Sequence, residues 1–248
     1  MLTHPTIDQL VKLGLAGMAR AFTELQDNQS ATALGHAEWL ALLLDREATE
    51  RSNRQLTARL RHARLRQRAT IEDIDWRSPR GLDRTLMQRL IAGDWIDVPH
   101  NLIIEGPTGV GKSWLACALG NKACRDNRSV LYQRLPKLFA ELALARGDGR
   151  HRKLMKRLGK VRLLILDDWG LEAFASEQRR DLLEIVEERY GRGSLLITSQ
   201  IPVDRWHDII GEPTIADAIL DRIVHNAHHL KLKGDSLRRK LATPQPAA

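Results

Sequence analysis

One run of eight residues limits what this chain can be: Gly106-Pro107-Thr108-Gly109-Val110-Gly111-Lys112-Ser113, a complete G-x-x-x-x-G-K-S. It follows an apolar segment, Asn101 to Glu105, and opens a helical one, Trp114 to Cys124. A glycine-rich turn between a strand and a helix can aim its backbone N–H groups inward and add the positive end of the helix dipole. Together these make a cradle for phosphate oxygens. Lys112 is expected to reach the β and γ phosphates, the Ser113 hydroxyl to ligate Mg²⁺, and Gly106 through Trp114 to surround the nucleotide. The flanking strand and helix distinguish this run from a glycine turn that matches by chance.

Beyond Trp76-Arg77-Ser78-Pro79 the sequence alternates short apolar runs with helical stretches. Leu102-Ile103-Ile104, Val130-Leu131-Tyr132, Val161 to Leu166 and Leu195-Leu196-Ile197 read as strands buried on both faces, and alternation with helices predicts a parallel α/β sheet. His229 to Lys233 alternates instead, as an edge strand does. The third run ends in paired carboxylates. Asp167 is placed to hold Mg²⁺ directly or through water, and Asp168 to polarise the attacking water.

The first third reads as helical. Ile7, Leu10, Val11, Met18, Phe22 and Leu25 recur at the spacing of one helix face, interrupted by Gly14 and Gly17. A second helix is expected from about His36 into the sixties, carrying Trp39, Leu40, Leu43, Leu44, Leu56 and Leu60. Its later part holds eight arginines against Glu47 and Glu50 between positions 46 and 68, an excess of six positive charges within a chain whose whole net charge is +8. Either a solvated face or a polyanion-binding surface carries such a run, and the excess favours contact with nucleic acid or an acidic partner. A second basic cluster, Arg146, Arg150, Arg152, Lys153, Lys156 and Arg157, lies between the second and third strands. Neither cluster interleaves aromatics with its cations, so phosphate-backbone contact without sequence preference is expected, at Arg54, Arg61, Arg64, Arg68, Arg150, Arg152, Lys153, Lys156 and Arg157.

At 43% hydrophobic the chain has the material for a real core. No apolar run approaches the ~18–20 residues of a membrane span. The N-terminus lacks a basic stretch followed by an apolar block, so no secretory signal and a cytoplasmic location are expected. Cys117 and Cys124, seven apart on one predicted helix, stand too far apart to pair and are expected as reduced core thiols. His225, His228 and His229 have ligand-like spacing without an accompanying cysteine or carboxylate cluster, so a surface or DNA-contact role is favoured over a metal site.

The phosphate loop, the strand ending in Asp167-Asp168, and Leu195-Leu196-Ile197-Thr198-Ser199-Gln200 resemble an AAA+ ATPase of the clade of helicase loaders and initiators. Glu38 to Glu47, Gly93-Asp94-Trp95-Ile96, Asp168-Trp169-Gly170 and Asp221 to Ala227 are similar to stretches of IstB-type transposition proteins. The resemblance runs from about Leu10 to Arg239. It implies an ATP- and Mg²⁺-dependent ATPase with a five-stranded parallel sheet flanked by helices, preceded by a small all-α domain. The expected organisation is a helical N-terminal domain over 1–75 that contacts DNA or a partner, a linker over 76–98, an ATPase domain over 99–240 and a disordered tail over 241–248.

The resemblance further implies that Gln200 is the sensor amide near the γ-phosphate, where many relatives carry Asn, with Thr198 and Ser199 alternatively capping the strand. Arg222 resembles the arginine finger that one subunit inserts into its neighbour's site; the competing expectation is a surface arginine paired with Asp217 or Asp221. Arg238 resembles a second sensor. The broader relatives usually carry Glu where this chain has Asp168. The function implied is an ATPase that oligomerises on duplex DNA and assists a partner transposase. The alternative is a DnaC-type helicase loader, and a small-molecule kinase leaves the basic helix unexplained.

Overall fold

The computed structural model describes residues 4–28 and 34–237. The chain divides into two compact units, Met1–Ala58 and Arg59–Ala248. Arg238 and the 241–248 tail lie outside the described residues.

In the first unit the expected helical face is split at Gly14, which sits at φ +73°, into α1 (Pro5–Lys12) and α2 (Ala16–Gln26). The helix α3 (His36–Ala63) runs across the boundary of the two units. Phe22 meets Trp39 edge-on, with ring centroids 5.1 Å apart. The buried carboxylate of Glu47 accepts from the Gly17 and Met18 N–H groups at 2.8 and 3.2 Å. It thereby caps the first turn of α2 from a neighbouring helix, satisfying donors that have no intrahelical partner. Burial opposes its ionisation, but the Arg51 hydrogen bond and the Met18 and Gly17 N–H groups outweigh that and hold Glu47 below the ordinary carboxylate range. Gly17 makes this approach possible, since a Cβ there would stand 2.8 Å from the Glu47 Cα. Gly17→Ala is expected to destabilise this packing by about 1–3 kcal/mol. A full-chain melting curve followed by circular dichroism checks it, and an unchanged curve contradicts the close approach.

In the second unit five parallel strands form one sheet among the described residues: β1 (Asn101–Glu105), β2 (Val130–Arg134), β3 (Leu163–Trp169), β4 (Ser194–Ser199) and β5 (Ala227–Lys231), in the order β2-β3-β4-β1-β5. The edge strand β5 begins two residues earlier than its alternation predicts. Helices cover both faces: α4 (Arg84–Ala92), α5 (Asp94–Asp97), α6 (Lys112–Arg125), α7 (Leu135–Gly147), α8 (His151–Lys160), α9 (Ser176–Arg189), α10 (Trp206–Ile210) and α11 (Pro213–Val224). Leu102, Ile103, Ile104, Leu163, Leu164, Ile165, Leu196 and Ile197 are fully or almost fully buried. Continuous apolar strands are what a sheet covered on both faces requires. At the end of β3 the Trp169 ring lies 4.6 Å from that of Trp206, tilted by 30°, and meets Phe174 edge-on. Arg189, with its guanidinium buried, donates to the carbonyls of Leu158, Val161, Arg162 and Ser194 and so ties the end of α8 to the starts of β3 and β4. Burial brings its pKa down to about 10.

Two expectations about segments change. The stretch 76–98, read as a linker from its Ser-Pro and lost periodicity, carries α4 and α5, and Met87, Leu90, Trp95 and Ile96 are buried. Asp83 caps α4 by accepting from Thr85 and Leu86 N–H, and Gly93 at φ +87° ends it. The division between units falls after Ala58, earlier than the expected boundary at 75, because Arg59 and the residues that follow belong with the sheet: Arg59 Nε donates to Cys124 O at 2.8 Å. Both cysteines are free and buried, and burial pushes the Cys124 thiol up to about 11.

Candidate nucleotide site

Chain direction selects the place of the site. From β1 the chain crosses to β2 on one side, and from β4 it crosses to β5 on the other, so a crevice opens at the carboxyl ends of β1 and β4. The loop Gly106–Gly111 lies at that end of β1, and Gln200 directly follows β4. Gly109 and Gly111 stand at φ +86° and +97°, which a side chain rarely tolerates. Space excludes side chains as well: a Cβ on Gly109 would fall 2.1 Å from Ser236 Oγ, and one on Gly106 would fall 2.4 Å from Leu232 O. The segment after β5 therefore seals the outer side of the loop, with Leu237 N–H donating to Gly109 O at 2.9 Å.

Lys112, the first residue of α6, donates from Nζ to the carbonyls of Gly106 and Pro107 at 2.6 and 2.8 Å. Ser113 Oγ donates to Asp167 Oδ1 at 2.7 Å. Asp167 is fully buried and also accepts from Thr198 Oγ1 and Tyr132 OH, while Arg66 NH1 lies 3.8 Å from its Oδ2. Burial, then the bond to Asp167, pushes the Tyr132 phenol far up, so it remains a donor. A buried carboxylate beside a hydroxyl, at the mouth of a phosphate loop, is a hard-oxygen set that fits Mg²⁺.

Asp168 sits in an irregularity of the β3–β4 pairing between Leu166 and Trp169, at φ +64°. A bulge of this kind re-aims a side chain. The Asp168 carboxylate lines the cavity and accepts from Arg134 Nε at 2.7 Å, and its N–H donates to Thr198 Oγ1. Gln200 Oε1 accepts from Thr108 Oγ1 at 2.6 Å, so the amide reaches the loop. Ser199 instead holds the strand end, with its hydroxyl on the Trp169 and Ile201 carbonyls. Thr108, Gly109, Gly111, Lys112, Ser113, Trp114, Asp168 and Gln200 thus share one cavity of about 310 Å³ with Gln67, Asp73, Asp75, Arg80 and Leu237.

Arg222 lies elsewhere. It is in the last turn of α11, and its backbone carbonyl accepts from the side chain of Asn101, at the opposite end of β1 from the loop. Its guanidinium donates to Ala218 O at 2.7 Å, stands 3.5 Å from Glu187 and lies over the Tyr190 ring. The partner is Glu187 rather than Asp217 or Asp221; Asp217 faces His207. Of the three histidines set aside above, His228 rests 5.9 Å from the His100 ring, and burial lowers its pKa.

The basic residues form a second feature. The amphipathic helix α8 buries Met155 and Leu158 and exposes Arg152, Lys153, Lys156 and Arg157. A groove of about 700 Å³ between α7 and α8 is lined by Arg64, Arg150, Lys153, Lys156, Arg157 and Lys160 among others. Arg150 is paired with Asp148, and Arg54 lies 3.5 Å from Glu47 in the first unit. Arg61 and Arg68 are exposed. The two basic clusters of the sequence thus meet at Arg64.

Sequence reasoning missed Arg66, Tyr132, Arg134 and Arg80. Tyr132 and Arg134 reach the carboxylates because β2 is the sheet neighbour of β3, with Arg134 in register with Asp167. No local motif announces that pairing.

A family model for IstB-like ATP-binding proteins matches residues 8–244. The chain belongs to that family. An insertion-sequence ATP-binding protein of Sinorhizobium fredii is 65% identical over 239 residues, covering 96% of this chain and 98% of its own. The ATP-binding protein of insertion sequence IS1162 from Pseudomonas fluorescens is 46% identical, covering 82% of this chain and 88% of its own. The crystal structure of DnaI matches with a TM-score of 0.59 at 24% identity, over 66% of this chain and 91% of that one. The DnaC helicase loader matches at 0.51 and 20%, over 60% and 86%. These two share its fold. The protein is thus an IstB-like ATP-binding protein, with ATP as its nucleotide. Among the described residues no helix is long and apolar enough to cross a membrane.

Proposed function

We propose that this protein self-associates on duplex DNA in its ATP-bound state and assists a partner transposase during insertion-sequence transposition. The observation that carries the proposal is the basic groove between α7 and α8, where Arg64 from the arginine run joins Lys153, Lys156 and Arg157 on the same unit as the nucleotide site. A cationic track without interleaved aromatics suits the phosphates of a duplex rather than its bases. Relatives named as insertion-sequence ATP-binding proteins support the transposition context. The helical first unit, with Arg54 exposed on α3, makes a contact of its own with DNA or with the transposase.

Within the site, Lys112 neutralises the phosphates and the backbone of Gly106 to Gly111 orients them. Ser113 and Asp167 would hold Mg²⁺, which would supply neutralisation of phosphate charge. Gln200 orients the attacking water, and Asp168 takes its proton as the water oxygen bonds to the γ-phosphorus and the bond from that phosphorus to the leaving ADP oxygen breaks. Arg222 serves the site of a neighbouring protomer, because it lies far from the loop of its own chain. ATP then favours assembly and hydrolysis favours release.

The test is ATP turnover with and without duplex DNA, read together with assembly size. Duplex DNA is expected to stimulate hydrolysis and to promote ATP-dependent oligomers, and Lys153→Glu/Lys156→Glu is expected to remove both effects while DNA-free turnover stays unchanged. Each lost phosphate contact should reduce the slope of log affinity against log salt by about 0.9. If DNA neither stimulates turnover nor promotes assembly, the proposal fails.

A further inference from the structure

Arg80 presses on the phosphate loop from outside the motif. It is only 4% exposed, its NH1 donates to Val110 O at 3.3 Å, and its NH2 donates to Asp75 O at 3.1 Å. Its Nε is buried with no hydrogen-bond partner. The Arg80 main chain is held on both sides: its N–H donates to Ser78 O at 2.8 Å and its carbonyl accepts from Lys233 N–H at 2.9 Å. A Cβ on Gly111 would stand 2.7 Å from NH1, so that glycine leaves room for the guanidinium as well as for the turn.

A buried guanidinium stays charged and is costly to desolvate, so a fold that keeps one gains something a methyl group would not supply. Here the side chain is the link between the loop and the segment that precedes α4. That segment, with Gln67 just before it, sends Asp73 and Asp75 into the nucleotide cavity, beside Trp114 and Leu237. Asp73 accepts from Thr70 Oγ1, and Asp75 from the Arg77 and Ser78 N–H groups and the Ser78 hydroxyl, so both carboxylates are held on the segment before the loop rather than on the phosphate end that Lys112, Ser113 and Asp168 define. They suit the other half of the ligand, whose exocyclic amine and ribose hydroxyls are donors that need acceptors.

We propose that Arg80 is the positioning residue for the nucleoside half of the site: it clamps residues 73–80 to the phosphate loop, and Asp73 and Asp75 accept from the adenosine held there. The inference rests on the cavity being the ATP site and adds the residue that shapes its far end.

The test compares binding of ATP, ADP and inorganic tripolyphosphate to the full chain by calorimetry, for wild type, Arg80→Met and Arg80→Lys. Arg80→Met is expected to weaken ATP and ADP alike, by about 10- to 100-fold, while tripolyphosphate affinity stays within about twofold. In turnover, KM for ATP rises while kcat at saturation is retained. Arg80→Lys, which keeps a donor and the charge, recovers most of the loss. If the Met variant melts below the assay temperature, Arg80→Lys carries the test through the same split, with a loss of about threefold or more for ATP alone. Equal losses for ATP and tripolyphosphate, or no loss for either, overturn the proposal. Lys112→Ala in the same assay must lose tripolyphosphate; if it does not, the fault lies in the site assignment and not in Arg80.

Discussion

Lys112→Ala is expected to abolish nucleotide binding while leaving the fold intact. The ammonium already sits over the loop, 2.6 and 2.8 Å from the Gly106 and Pro107 carbonyls, so little reorganisation separates this position from one on a phosphate oxygen. Two charge-assisted hydrogen bonds to phosphate contribute about 1.5–3 kcal/mol each. Their loss raises Kd by about two to four orders of magnitude. The sheet beneath owes its stability to the apolar strands, so the melting temperature should move little. Calorimetric titration of the purified variant reads the outcome directly. ATP affinity within a few-fold of wild type would remove the loop as the phosphate site.

Arg222→Ala is expected to stop turnover at a distance from its own nucleotide. Within one chain the guanidinium lies at the far end of β1 from the loop, on Ala218 O and near Glu187. Those contacts are partly exposed and contribute about 1 kcal/mol or less, so the fold survives their loss. A finger that neutralises the transferring phosphoryl group is worth about 10³–10⁵ in rate. Asp168→Asn should likewise stop hydrolysis while sparing ATP binding, if the carboxylate acts on the attacking water as proposed. Mixing the two inactive proteins is then the decisive measurement. In a random one-to-one assembly about a quarter of the head-to-tail interfaces join an intact Asp168 to an intact Arg222. Turnover should recover in that proportion, and a mixture as inactive as its components would refute a finger acting between protomers.

Much of the site was legible in the sequence because its signals are local. The phosphate loop is one continuous turn, and its strand and helix flank it directly. Asp167 and Asp168 end an apolar run, and Gln200 ends another, so each could be placed at the carboxyl edge of a parallel sheet before the strand order was known. The helical first unit was legible from its periodicity, although Gly14 divides what reads as one face. The segment 76–98 reads as a linker because α4 and α5 are only 9 and 4 residues long, too short for a helical period to repeat. The edge strand shifted by two residues because an alternating pattern keeps its phase under such a shift.

What the chain alone specifies is therefore the candidate phosphate site: a glycine-rich loop, a hydroxyl and a carboxylate beside it, and a parallel α/β frame to carry them. Backbone conformation and side-chain identity within a few residues suffice for that. Tertiary structure decides the surroundings of that site. Strand order brings Tyr132 to Asp167 and Arg134 to Asp168, and the folding of residues 64–81 onto the sheet brings Arg64 to the α8 groove, Arg66 to Asp167 and Arg80 to Val110. These are pairings of groups far apart in sequence, set by which surfaces bury one another, and no short-range pattern encodes them. The same reason leaves Arg222 looking like one residue of a motif in the sequence, and makes it, once folded, a group pointed away from its own nucleotide.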